Sequence, residues 1–159
     1  MDGPVSLPAT EVLSPFRLFV PERPFAPVIF SSAHSGCAYS ADLMPGVRLP
    51  PLSLRRSEDC FVDELFSAAP EHGASLLAAN FPRAFCDANR EAWELDPAMF
   101  ADKLPDWVNT ASPRVSAGLG TIAKVVASGE SIYAAKLSFA ERSGGSSPIG
   151  APSTTCWRI

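Results

Sequence analysis

The chain has 159 residues, 47% hydrophobic and 19% charged, with a formal net charge of −4. That is enough apolar side chain for a real core, which excludes wholesale disorder, and the acidic balance argues against a nucleic-acid surface, which needs clustered Lys and Arg. No apolar run approaches the roughly 18–20 residues of a membrane span, and no basic-then-apolar signal opens the chain. The expectation is a soluble, cytoplasmic globular protein that binds neither nucleic acid nor membrane.

Sixteen prolines and ten glycines predict many short segments joined by rigid turns. Met1–Pro27, rich in proline and without periodicity, reads as an extended lead-in. Val28–Ser32 is a short apolar, β-rich run ending at small residues, which predicts a buried strand. A long loop follows over Ala33–Pro51. Apolar positions at Phe61, Val62, Leu65, Phe66 and Ala69 predict a helix over Glu58–Ala69, with Ser57 as N-cap and acidic residues in its first turn. His72–Gly73 ends that helix, and Ala74–Asn80 predicts a second buried strand. Strand, helix and strand in that order predict a right-handed crossover in a largely parallel sheet.

Beyond this unit the pattern weakens. Phe81–Asp96 reads as a loop, and Glu91–Phe100 as holding a turn of helix stopped by Pro97. Pro113–Thr121 carries Gly118 and Gly120, a plain turn. Lys124–Val126 and Ser131–Tyr133 read as strands, and Ala134–Glu141 as the start of a helix. From Ser143 to Ile159 the texture changes abruptly to a Ser/Gly-rich stretch. The four cysteines, Cys37, Cys60, Cys86 and Cys156, are widely spaced without a C-x-x-C pair, so they are expected to be reduced and mostly space-filling.

Three segments carry residues suited to chemistry. His34 follows the carboxyl end of a predicted central strand, where ligands bind in open α/β sheets. It is either a zinc ligand or an ordinary loop histidine. Glu58 and Asp59 either supply a second ligand or merely favour a helix N-terminus. Phe81–Arg90 offers Arg83, Asp87, Asn89 and Arg90 directly after a predicted strand. Arginine suits bidentate recognition of a carboxylate, an Asn amide can bind the same group, and a second Arg can stabilise an oxyanion. Asp87 can orient a guanidinium or a metal-bound histidine. An ordinary solvated Arg–Asp pair is the alternative. Arg114 beside Gly118-Leu119-Gly120 is a further candidate anion contact.

Taken in order, Ala33-His34-Ser35-Gly36, Glu58-Asp59-Cys60-Phe61-Val62-Asp63-Glu64-Leu65, Arg83 with Asp87-Ala88-Asn89-Arg90, and Arg114 with Gly118-Leu119-Gly120 resemble the N-formylglutamate amidohydrolase family over roughly residues 24–142. The Asp87–Arg90 signature is also similar to that of aspartoacylase and succinylglutamate desuccinylase enzymes. The resemblance implies an α/β fold of zinc-carboxypeptidase-like (phosphorylase/hydrolase-like) type, a three-layer sandwich with a mixed, largely parallel sheet, here incomplete. It implies a zinc cofactor held by His34 and Asp59, with Glu58 as the alternative ligand. Arg83 would polarise the amide carbonyl, Asn89 and Arg90 would hold the substrate carboxylate, Arg114 would assist, and Asp87 would support from behind. The implied substrate is a small N-acyl amino acid, N-formylglutamate above all, as in histidine degradation.

Family members also supply a further histidine ligand and a glutamate base, for which this sequence has no counterpart. The resemblance therefore divides the chain into a lead-in (1–23), the N-terminal part of an amidohydrolase domain (24–142) and an aberrant tail (143–159), and implies that the chain as given is inactive. Back-translated and read one base earlier, the tail permits a family-like continuation, with leucine at the Cys156–Trp157 junction. A frameshifted tail is the expectation, and the encoding DNA decides it. Two other readings stay open: an N-acyl amino acid deacylase of aspartoacylase type, and a non-catalytic carboxylate-binding fragment.

Overall fold

A computed structural model describes residues 14–39 and 46–139. Three strands, β1 (Phe16–Phe19), β2 (Ile29–Ser32) and β3 (Ser75–Ala79), form one mixed sheet in the order β1–β3–β2. β2 and β3 stand where the two buried strands were predicted and pair in parallel, Ile29 opposite Ser75 through Ser32 opposite Ala78; β3 is buried, whereas β2, at one side of the sheet with Ile29 71% exposed, is not, which corrects the expectation for that strand. β3 takes the centre because its Leu-Leu-Ala-Ala run tolerates neighbours on every side: Leu76 and Ala78 are fully buried. β1 pairs antiparallel to β3, Phe16 opposite Ala79. It lies within the stretch read as an extended lead-in, whose first thirteen residues fall outside the described ones. The chain is thus α/β, with one parallel and one antiparallel pairing.

The helix predicted over Glu58–Ala69 does not run. Its place is taken by a single turn, α2 (Val62–Leu65), and a 3₁₀ turn at Ala69–His72. The break lies at Phe61, left-handed at φ 65°; two residues before it the Asp59 N–H donates to the carbonyl of His34 at 3.0 Å. A right-handed helix cannot propagate through Phe61. Gly73, also left-handed, closes the 3₁₀ turn as predicted. An additional helical turn, α1 (Pro51–Leu54), ends the long loop after β2.

Prolines begin elements here rather than ending them. Pro97 is the first residue of a 3₁₀ turn capped by Asp96, whose side chain accepts from the Ala98 N–H at 2.8 Å, because proline lacks only an N–H that the first turn leaves unused. Likewise α3 (Pro113–Ser116) starts at Pro113 with Ser112 as its cap and Gly118 in the left-handed position behind it, where a plain turn was expected. The predicted strands at 124–126 and 131–133 reduce to isolated bridges, Val125 with Ser131 and Tyr133 with Val47. Residues 134–138 are not helical. Leu137 instead exchanges backbone hydrogen bonds with Met99 and Ala101, burying its side chain against Phe100 and Leu104; residues 140–141 and the tail lie outside the described residues.

Most of the core sits in these irregular segments. One cluster gathers Leu95, Met99, Phe100, Val108 and Ile122, and a second Leu54, Ala84, Ala123, Val126 and Ile132. Cys37 and Cys60 are free thiols, as expected. Cys86 is disulfide-bonded, which corrects the expectation for that residue; Cys156 lies outside the described residues. No helix among the described residues is long and apolar enough to cross a membrane.

Candidate active site

β2 delivers His34 to the carboxyl end of the sheet, and the loop behind it is pressed onto β3. Ala38 N–H donates to Asn80 O at 3.0 Å, and a Cβ at Gly36 would stand 2.2 Å from Phe81 O. Only glycine fits there, with main chain as the neighbour.

The buried imidazole of His34 lies between two carboxylates. Nε2 is 2.7 Å from Asp87 Oδ1, and Nδ1 is 3.1 Å from Asp59 Oδ2. The two acids differ in setting: the Asp87 side chain is 2% exposed and that of Asp59 54%. Asp87 is satisfied on every side. Its Oδ1 also accepts the Asn89 N–H at 3.0 Å, its Oδ2 accepts from Arg83 Nε–H at 3.0 Å, and the Arg90 guanidinium adds an ion pair to Oδ2 at 3.5 Å. Burial works against its ionisation, but the hydrogen bond and charge of His34, the Arg83 guanidinium and the Asn89 N–H outweigh it and hold its carboxyl below the ordinary value.

Asp87 N–H donates to Thr121 O at 2.8 Å, and Arg90 Nε to Leu119 O at 3.2 Å. The segment after α3 therefore braces the Asp87–Arg90 turn. Gly120 allows this packing, since a Cβ there would meet Glu94 O at 2.3 Å. Sequence reading took Gly118–Gly120 as a plain turn and missed that brace; the glycine pair itself was its only signal.

His34, Asp59, Asp87, Arg83 and Arg90 are thus contiguous, and Asp59, Arg83 and Asp87 line one cavity of about 270 Å³. The two Nη groups of Arg83 make no hydrogen bond among the described residues, whereas Arg90 spends Nη1 on Asn89 O at 3.3 Å. Asn89 contributes its main chain to Asp87 and is itself exposed. Glu58 does not face His34: its carboxylate accepts Arg55 Nε at 3.1 Å and the Cys60 thiol at 3.3 Å. Arg114 is exposed on α3 and makes no hydrogen bond or ion pair with the cluster.

Whether the cluster suits a cation follows from proton counting. A neutral imidazole has one N–H. If the shorter, buried contact to Asp87 takes it, the Nδ1 lone pair faces the Asp59 carboxylate, and that contact needs a positive centre between them: a second proton or a metal ion. The 3.1 Å separation lies near the ~3.3 Å edge of a tetrahedral zinc site with bonds of about 2.0–2.1 Å. Asp87 behind the ring is the carboxylate that metal-bound histidines commonly require. The pair fits a zinc ion; no group of three ligating side chains is present among the described residues.

The family model for N-formylglutamate amidohydrolase matches residues 26–148. The crystal structure of an N-formylglutamate amidohydrolase from Ralstonia eutropha JMP134 superposes with a TM-score of 0.72 at 38% identity, covering 81% of this chain and 45% of that one. The chain therefore spans less than half the length of that enzyme. No curated protein matches it. With a family model over most of its length and a solved member at that identity, the chain belongs to the N-formylglutamate amidohydrolase family.

Proposed function

We propose that residues 24–142 are the N-terminal part of a zinc amidohydrolase domain that cleaves the amide of an N-formyl or other N-acyl amino acid, N-formylglutamate being the family's namesake substrate. The observation that carries the reading is the ring of His34, held from behind by buried Asp87 and facing Asp59 at 3.1 Å beside two arginines. The reading takes the chain as one part of a zinc-carboxypeptidase-like, three-layer arrangement.

In this proposal His34 and Asp59 hold the zinc, and Asp87 fixes the imidazole tautomer by keeping the proton on Nε2. Zinc there would act as a Lewis acid toward the scissile carbonyl. Arg83 lines the cavity with its Nη groups uncommitted, so it donates to the acyl oxygen as negative charge develops. Arg90 and Asn89 bind the substrate carboxylate, with Arg90 pinned by Leu119 O so that little orientational freedom remains to be lost. Arg114, exposed on α3, would be a further contact for the substrate carboxylate.

Two protein ligands hold zinc weakly, since catalytic sites use three, and we expect this chain alone to be inactive. Two measurements test the proposal. Calorimetric zinc titration should give one weak site that His34→Ala and Asp59→Asn each abolish; a site indifferent to both overturns the metal assignment. Formate release from N-formylglutamate should stay at background, and robust zinc-dependent release would refute the expected inactivity.

A further inference from the structure

The cavity beside His34 carries a cation that the amidohydrolase reading leaves unused. Arg56 stands on the 3₁₀ turn Arg55–Ser57, directly before Glu58 and Asp59, and lines the same cavity of about 270 Å³ as Asp59, Arg83 and Asp87. Its neighbour Arg55 is committed, donating Nε–H to Glu58 at 3.1 Å. Arg56 is not. Among the described residues its guanidinium makes no hydrogen bond, and its one ion pair is with Glu130 at 4.0 Å, both side chains more than half exposed. A pair at that distance and exposure contributes little, and the same Glu130 oxygen accepts from the Ser128 hydroxyl at 2.8 Å. A ligand carboxylate can take the place of Glu130 on this guanidinium.

The other charges on the cavity wall are matched. Asp87 is held by Arg83, Arg90 and His34, Glu58 by Arg55, and Asp59 faces the His34 ring. The wall is completed by Ser57 and four apolar residues, Leu119, Ala123, Val125 and Ala127. An N-acyl amino acid with a single carboxylate would use Arg83 for its acyl oxygen and Arg90 with Asn89 for that carboxylate, leaving Arg56 beside the cavity with nothing to bind. A ligand side chain of methylenes ending in a second carboxylate uses both remaining features. Its methylenes suit the apolar wall, and its carboxylate matches the planar fork of a guanidinium.

We infer that Arg56 is a specificity-determining residue of this cavity: it binds a second, side-chain carboxylate and so selects N-acyl derivatives of acidic amino acids over neutral ones. Glu130 holds the guanidinium loosely at the rim until that carboxylate displaces it. The inference rests on the amidohydrolase reading and adds the residue that tells an acidic side chain from its neutral amide.

The test titrates the full chain with N-formylglutamate and with N-formylglutamine, which has nearly the same shape and no side-chain charge. Binding is followed by backbone amide shifts in NMR, in EDTA so that metal plays no part. N-formylglutamate should bind about tenfold more tightly than N-formylglutamine. Arg56→Gln should cut that preference to less than about twofold by weakening N-formylglutamate alone, and Arg56→Lys, which keeps the charge but not the fork, should retain part of it. Lys103→Gln, on a side chain 88% exposed and off this cavity, should leave the preference unchanged and so controls for net charge. No preference in the wild type, a preference that survives Arg56→Gln, or one that Lys103→Gln lowers as much would each overturn the assignment of Arg56 and leave the amidohydrolase reading standing. Failure of the chain to bind either ligand sinks the carboxylate-binding part of that reading, and the role of Arg56 with it.

Discussion

Two turns supply the two carboxylates on His34, and they are built differently. The Arg83–Arg90 turn is a finished structure: Asp87 is buried, two guanidiniums and a main-chain N–H reach its carboxylate, and Thr121 and Leu119 brace it from outside the segment. The Ser57–Phe61 turn is held by its main chain, and its acid, Asp59, is half in water with only the His34 ring on its carboxylate among the described residues. One carboxylate organises the protein; the other is left available to a ligand. A site that must bind a cation needs both, because a fully satisfied acid has no lone pair to give and an unsupported imidazole has no fixed direction.

The contrast is broken most directly at Asp87. Asp87→Ala leaves Arg83, Arg90 and a buried imidazole without their common partner and should cost about 3–5 kcal/mol in urea unfolding. Asp59→Asn should change stability by less than about 1 kcal/mol yet remove zinc binding. Equal stability losses for the two would show that they are not different in kind. Next in size is Gly36→Ala, whose Cβ would meet three backbone atoms within 2.8 Å. It should cost about 2–3 kcal/mol in thermal or urea unfolding and weaken zinc binding, because the loop carrying His34 must shift.

Acid sharpens the same comparison. The Asp87 carboxyl is held below its ordinary value in the folded chain, so its stabilisation is complete above the unfolded carboxyl range of about pH 4 and is lost as pH falls through the folded value. Stability against pH should therefore decline more steeply below that range in the wild type than in Asp87→Asn. The smallest effect is expected at Phe61, left-handed and 63% exposed. Phe61→Gly relieves the backbone and should raise the unfolding midpoint slightly, by up to ~1 kcal/mol.

The parts of the fold legible in sequence are those where local composition and tertiary demand agree. Ile29–Ser32 and Ser75–Ala79 are short, apolar and bounded by small or turn-forming residues, and they are strands. The helix expected at Glu58–Ala69 failed because periodicity counts side chains and not backbone dihedrals: Phe61 turns left-handed at φ 65°, just after Asp59, whose N–H is tied to His34 O, twenty-five residues away. Pro97 misled for a related reason, since a proline reads as a stop until a cap such as Asp96 is known to precede it. In the site, sequence could not choose between Glu58 and Asp59. Adjacent residues on extended backbone, as Glu58 is at φ −77° and ψ 144°, point opposite ways, and only the fold tells which way His34 lies. The grouping of His34 with Asp87, Arg83 and Arg90 was legible because each follows a short apolar strand at the same end of the sheet. The exposed position of Arg114 was not, because nothing local says which side of α3 faces the cluster.

The bond from the Asp59 amide to the carbonyl of His34 gives the site a built-in reporter. Both partners belong to the residues whose side chains converge, so their spacing is registered by a single proton visible to NMR. Its exchange with deuterium should be slow while the two loops remain joined and quicken when they part. Loop opening at this site can thus be followed without substrate, metal or label.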